Sequence, residues 1–303
     1  MLDVRRLRLL RELAHRGTIA AVAEALAFSA SAVSQQLTAL EREAGVALLE
    51  RTGRRVRLTP AAEKLVGHAE AVLARLELAE SELAGARRSP AGPLRIGTFP
   101  SAARVLIPPA LAALAVDCPE LEPMVSEVDP AGVGDLLRSG ELDVALVHDY
   151  DFVPPTAEPG IERQPLFAEA MHLAAPGSAH RQGGSDRLVD YRDQPWILAT
   201  HGTLCHAMAI RACQAAGFTP RIRHRADDFD TVLALVAAGQ GVALVPDLAL
   251  LAPPPGVRLH RLPMSRRTAV AVREGASGHP AVAAFTSAVK QALPINLGCS
   301  HTS

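Results

Sequence analysis

Two groups of residues in the first sixty positions have side chains and spacing suited to reading a polyanion. The first is Ser29, Ser31, Ala32, Ser34, Gln35 and Gln36, a run of small residues, hydroxyls and amides. At helical spacing such a run reaches phosphate oxygens and base edges without filling a DNA groove, and Gln35 or Gln36 suits an adenine. The second is Arg51, Arg54, Arg55 and Arg57, a basic cluster around a Thr-Gly turn. Residues 1 to 58 carry a net charge of +4 and residues 89 to 303 one of −4, which the overall value of −1 conceals. The basic end therefore faces a polyanion, double-stranded DNA above all. Other chemistry is sparse. Motifs for a serine nucleophile elbow, a P-loop, a zinc protease helix and a dinucleotide turn are all missing in fitting context, so no catalytic residue, and no enzyme, is expected. Gly239-Gln240-Gly241 lacks the third glycine of a nucleotide fingerprint. The histidines at 148, 172, 201, 206 and 224 have no ligand spacing, and Cys118, Cys205, Cys213 and Cys299 form no CxxC. Neither a metal nor another cofactor is expected.

These residues need elements to hold them. Leu7, Leu10, Leu13 and Ala14, then Ile19, Val22, Ala23 and Leu26, then Val33, Leu37 and Leu40 mark three short helices. Thr18 and Ser29 stand at N-cap positions, and Gly17 and Gly45 at helix stops. Arg54 to Leu58 alternate polar and apolar as a small β-wing would. Thr59-Pro60 opens a long helix with apolar residues at Leu65, Ala69, Val72, Leu76, Ala79 and Leu83, a heptad seam that needs a partner helix. A second copy of the chain is the simplest partner; packing of the seam on the chain's own body is the alternative. ARRSPAGP (86–93) then reads as a linker. Beyond it strand-like runs (LRIGTF, PMVSEV, DVALV, AMHLAAP, WILAT, RIRHRA, GVALVP, RLHRL and TAVAV) alternate with helical ones, which is an α/β order. Ligands in open α/β sheets bind beyond the carboxyl ends of strands, here after LRIGTF, PMVSEV and WILAT.

With 303 residues, 49% hydrophobic and 21% charged, the chain is globular and long enough for two or three domains. Its apolar runs fall far short of the ~20 residues that span a bilayer, so no membrane partner is expected. Charges every two or three residues in MLDVRRLRLLRELAHRG leave no secretory apolar core, and the expected compartment is cytoplasmic.

The stretch from Ala21 through AEALAFSASAVSQQLTALEREAGVALLERTGRRVRLTPAAEKL resembles the N-terminal domain of LysR-type transcriptional regulators. GELDVALV (140–147) and LVAAGQGVALVP (235–246) are similar to two later segments of that family. The resemblance covers nearly the whole chain. It implies a multidomain α+β protein with a winged helix-turn-helix at 1–58, a dimerising linker helix at 59–88 and an effector-binding domain at 89–303. That last domain would be shaped like a periplasmic binding protein, with subdomain I at about 93–160 and 267–293 and subdomain II at about 161–266. Dimers or tetramers are implied, as is a small-molecule effector between the subdomains at Thr98, Pro100, Ser101, Asp129, Thr200, His201, Gly202 and Thr203. The chain departs from the family pattern at Ala30, commonly glutamine, at Gln35, often basic, and at Asp129, usually a small polar residue. Asp129 makes a cationic or neutral effector thinkable. Two alternatives stay open: a thiol redox sensor of the same family using Cys205 and Cys213, whose spacing is eight where the subfamily has nine, and a small-molecule-binding α/β protein without DNA function.

Overall fold

The computed structural model describes residues 1–52, 55–86, 89–154, 157–177 and 187–294. Its first unit is built from capped helices. Helix α1 (Val4–Arg16) starts where the Asp3 carboxylate accepts the Arg5 and Arg6 amides, and stops at Gly17 with φ 73°. Thr18 caps α2 (Ile19–Ala25) and Ser29 caps α3 (Ala30–Ala44), which ends at Gly45 with φ 70°. Each cap supplies an acceptor for an orphan N–H of the first turn. The three helices enclose Leu10, Val22, Val33, Leu37 and Leu40, all fully buried. A hairpin of β1 (Leu49–Thr52) and β2 (Arg55–Leu58) follows. The Glu41 carboxylate of α3 holds its root, accepting the Leu48 and Leu49 amides at 2.9 and 3.0 Å.

Thr59 caps the long α4 (Pro60–Gly85), with proline at the first helical position. The seam predicted along this helix divides in two. Ala62 and Ala69 are buried with Leu65 and Val66 against α1, whereas Val72, Leu76 and Leu83 are 40%, 44% and 74% exposed. The opposite side of α4 is fastened to the body: Glu77 bonds Arg273, and the Ser81 hydroxyl donates to the Gly275 carbonyl at 3.2 Å. Helix and body approach closely enough that a Cβ at Gly275, where φ is +93°, would lie 2.4 Å from the Ala74 carbonyl oxygen.

The rest is α/β: β3 (Gly92–Thr98), α5 (Pro100–Val105), α6 (Ile107–Asp117), β4 (Leu121–Glu127), a 3₁₀ turn (Pro130–Gly132), α7 (Val133–Ser139), β5 (Val144–Tyr150), β6 (Ile161–Pro176), β7 (Pro195–Leu198), α8 (Leu204–Ala215), β8 (Arg221–Arg225), α9 (Phe229–Ala237), β9 (Ala243–Pro246), β10 (Val257–Arg273) and α10 (Pro280–Gln291). Six strands form one sheet in the order β4-β3-β5-β10-β6-β9; β7 and β8 pair in parallel and join its edge through a bridge between Trp196 and Val242. Strands β6 and β10 are 16 and 17 residues long and antiparallel to each other. They run through both lobes. The end of β10 pairs with β5 in the first lobe, whereas its beginning lies beside the part of β6 that pairs with β9 in the second. The runs RLHRL and TAVAV, separate in the sequence, are thus parts of one strand. Each lobe has its own core, around Ile96, Leu106 and Phe285 in the first, and around Met171, Leu173 and the single tryptophan, Trp196, in the second.

Among the described residues one non-glycine backbone position is strained. In the turn between α2 and α3, Ala27 has φ +53°, a left-handed conformation that costs an L-residue with a Cβ about 1–2 kcal/mol. Ala27→Gly is expected to stabilise the helix-turn-helix by about 0.5–1 kcal/mol after the entropy of the extra glycine is subtracted. Thermal denaturation of the two proteins measures this, and a lower midpoint for the glycine variant contradicts it.

Candidate functional site

The start of α3 presents Ser29, Ser31, Gln35 and Gln36 to solvent, while Ala32 and Ser34 are half-buried and Val33 faces the core. The Ser29 hydroxyl accepts the Ala32 amide as the N-cap and lies 3.0 Å from Ser31 Oγ. Its first task is therefore structural. The Gln36 amide is oriented from α1, where Arg6 Nε donates to its Oε1 at 2.9 Å, leaving the NH₂ end of the amide outside this bond. In the wing, Arg51 pairs with Val56 and Arg55 with Thr52 along the ladder. Arg54 lies outside the described residues.

A cavity of about 300 Å³ opens between the two lobes. The first lobe contributes Phe99, Pro100 and Ser101 after β3, Glu127 at the end of β4 and Asp129 after it, and His148 from β5; the second contributes Thr203, Cys205, Asp227 and Phe229. Pro100, Ser101, Asp129 and Thr203, four of the eight predicted positions, are in this wall. Thr98 is fully buried behind it. Thr200 adjoins it through Asp227, whose carboxylate accepts the Thr200 amide and hydroxyl, both at 2.7 Å. His201 packs its ring on His206, 5.2 Å between centroids, and Gly202 turns the chain with φ 97° toward the Thr203 cap of α8.

Sequence reasoning missed Arg266. This guanidinium, 1% exposed, comes from β10 into the cavity floor, donating from Nε to Glu169 Oε1 at 2.8 Å and from an Nη to Ser101 Oγ at 3.1 Å. It also lies over the Phe99 ring, 4.9 Å from the centroid. The register explains the grouping: Arg266 is opposite Glu169 on β6 and Tyr150 on β5, so the three lie in one row across the sheet. In the next row Thr268 is opposite His148. Burial, then the Arg266 charge, pushes the His148 imidazole well below its ordinary value, so this ring is neutral near pH 7. Asp227 was missed as well; its position before the α9 cap Asp228, in the run RADDFD, was the available signal.

The two thiols of α8 are set apart. Tyr150 Oη lies 2.9 Å from Cys205 Sγ, and burial raises the Cys205 thiol despite that bond and the Arg266 charge. Burial alone pushes Cys213 up to about 12. Eight residues along a helix correspond to a rise of ~12 Å, beyond the ~7 Å between Cα atoms that a disulfide tolerates. Pairing them requires α8 to unwind. Cys299 lies outside the described residues.

A model of the LysR substrate binding domain matches residues 87–294, and one of the bacterial regulatory helix-turn-helix proteins of the lysR family matches residues 4–63. The chain belongs to the LysR family. It is 28% identical over 247 residues to the transcriptional dual regulator GltC of Bacillus subtilis, covering 81% of each chain. Among solved structures it resembles a cysteine mutant of Corynebacterium glutamicum OxyR (29% identity, TM-score 0.59, 96% of this chain and 92% of that one). It also resembles full-length CbnR in complex with its target DNA (25% identity, TM-score 0.53, 96% and 99%). This LysR-family protein is a DNA-binding transcriptional regulator with an effector-binding domain. No helix among its described residues is long and apolar enough to cross a membrane.

The Arg266–Glu169 pair sets a stability prediction for this regulator. Glu169→Gln leaves a buried guanidinium without its counter-charge and is expected to cost about 3–5 kcal/mol. The double variant Arg266→Met with Glu169→Leu is expected to recover most of that loss in urea denaturation. A single variant as stable as the parent refutes the assignment.

Proposed function

We propose that this regulator binds its operator through the start of α3 and the wing, and that an effector in the cleft resets the DNA-binding units through α7. On this reading Ser31, Ser34, Gln35 and Gln36 face the major groove, with Arg51, Arg54 and Arg55 on phosphates. The exposed lower seam of α4 takes a second copy of the chain, which places two recognition helices on half-sites ~34–36 Å apart. The protein works in the cytoplasm and has no catalytic activity.

One observation carries the coupling. Asp129 and Pro130 are in the cavity wall and begin the 3₁₀ turn that leads directly into α7. At the other end of α7, arginines of α1 hold its last carbonyls: Arg8 donates to Ser139 at 2.8 Å, and Arg11 to Arg138 at 3.2 Å. Arg16 reaches the Asp135 carbonyl in the same helix, also at 3.2 Å. Cations at a helix C-terminus satisfy orphan carbonyls and complement the helix dipole. A ten-residue element thus has the cleft at one end and the DNA-binding unit at the other. An effector that favours one lobe arrangement shifts this element, and its effect on DNA is set by its differential affinity for the two arrangements.

Fluorescence anisotropy against DNA from upstream of the gene and against scrambled duplex, at two salt concentrations, tests the DNA half. At least ~10³-fold preference for the upstream DNA is expected; equal binding to both overturns the reading. Gln36→Ala is expected to change sequence preference by ~1–3 kcal/mol, and Arg55→Ala to weaken binding to every sequence and lower the salt slope by about one. For the coupling, Arg8→Ala is expected to retain effector binding while the effector's change in DNA affinity, ordinarily ~5–150-fold, shrinks toward none. An unchanged effector response in a folded Arg8→Ala protein removes α7 from the mechanism.

A further inference from the structure

The charges around the cleft do not balance. Three carboxylates line it, Glu127 and Asp129 from the first lobe and Asp227 from the second, all exposed. Arg266 is the only Lys or Arg among the described lining residues, and Glu169, bonded to it at 2.8 Å, already holds its charge. Asp129 and Asp227 share the cavity wall with Cys205, whose thiol is raised by burial first and by the two carboxylates further. Their positions are fixed by the chain itself: Asp129 accepts the Ala131 amide at 2.9 Å, and Asp227 is held by Thr200. Arg104 of α5 already pairs with Asp230 of α9 across the lobes; Asp129 and Asp227 add like charges on opposite lips, and a cation between them reverses the sign of that interaction.

A second observation is independent of the carboxylates. His148, 5% exposed, forms part of the cavity wall, and its Nδ1 has no hydrogen-bond partner. Its cross-strand neighbour Thr268, 1% exposed, has an unpartnered Oγ1. Buried polar atoms are normally satisfied; of the two, His148 lines the cavity, so its open Nδ1 is the one placed to take a polar group from outside the chain. Phe99, Val128 and Phe229 supply apolar wall between these polar features. No group of three or more His, Cys, Asp or Glu among the described residues is disposed to hold a metal ion, so the missing positive charge suits a carbon-borne one.

We propose that the effector is an organic cation: an ammonium or guanidinium group seated between Asp129 and Asp227, on a compact apolar or aromatic body with a polar substituent toward His148. This rests on the reading of the cleft as the effector site and names the chemistry it takes. The cation joins the two lips and so favours the closed arrangement.

The test uses full-length protein and three probes of one shape and different charge: tyramine, its carboxylate counterpart 3-(4-hydroxyphenyl)propanoate, and the neutral alcohol 2-(4-hydroxyphenyl)ethanol. Each is titrated calorimetrically into the parent, into Asp129→Asn, and into the triple variant Glu127→Gln, Asp129→Asn, Asp227→Asn. Asparagine at 129 keeps the acceptor for the Ala131 amide, and asparagine at 227 keeps one for the Thr200 amide while its NH₂ group takes the place of the oxygen that accepts from the Thr200 hydroxyl. Tyramine is expected to bind the parent at least ~10-fold tighter than either other probe, tenfold corresponding to ~1.4 kcal/mol, to weaken in Asp129→Asn and to lose its advantage in the triple variant. If the carboxylate or the alcohol binds as tightly as tyramine, the cation is wrong and the cleft remains the effector site. If tyramine binds with undiminished affinity to the folded Asp129→Asn and triple variants, the three carboxylates are not its site and the proposal falls. If none of the three binds the parent, the proposal falls, and the cleft reading is decided separately by the effector response of Arg8→Ala.

Discussion

The ion pair of Arg266 and Glu169 is the interaction on which the geometry of the effector domain rests. Both side chains are essentially inaccessible to water. Two charges in such a place are tolerated only when their remaining hydrogen-bonding capacity is used. Here the second Glu169 oxygen accepts the Leu248 amide at 2.6 Å, and Arg266 reaches Ser101 at the start of α5. Four chain segments, around Ser101, Glu169, Leu248 and Arg266, therefore meet at one point on the strands that both lobes share. Displacing any of them leaves a buried charge short of a partner or a hydrogen bond, which gives the cleft a stiff floor, while its lips are joined by the more exposed pair of Arg104 and Asp230.

A similar logic of polar saturation holds the DNA-binding unit to the body. Arg8, Arg11 and Arg16 of α1 address carbonyls of α7, and Glu12, completely buried, accepts from both Arg11 and Arg16. His15 lies 2.9 Å from Glu70 on α4, and Arg273 ties the end of β10 to Glu77. The joint is rich in charge and poor in apolar contact. Such a joint is specific in geometry, and its net strength is modest because each contact replaces one with water.

Much of this was legible in the sequence because it is local. Thr18, Ser29 and Thr59 announce helix starts by their own chemistry, and Gly17 and Gly45 announce stops, so the helix-turn-helix could be placed without tertiary information. What escaped depends on sequence separation. Arg266 is 165 residues from Ser101, and nothing in MSRRTAV distinguishes it from Arg267, which faces Asp149 and Asp151 on the other side of the strand. The continuity of β10 was hidden by Pro263, since proline inside a run argues against a strand. The structure accommodates it at the register shift between Arg261 and Ser265. On α4 the heptad pattern was plain, but its division between a packed upper half and an open lower half depends on where α1 ends.

The single indole has a practical consequence. Trp196 is fully buried in the second lobe, tilted against Phe218 at 5.9 Å, with Nε1 donating to the Tyr191 carbonyl at 3.2 Å. Neither the DNA-binding unit nor the first lobe contains another. Light absorbed at the red edge of the aromatic band is therefore taken up by one lobe only. The unmodified protein carries an optical probe that distinguishes melting of that lobe from melting of the rest, and it needs no dye or label to do so.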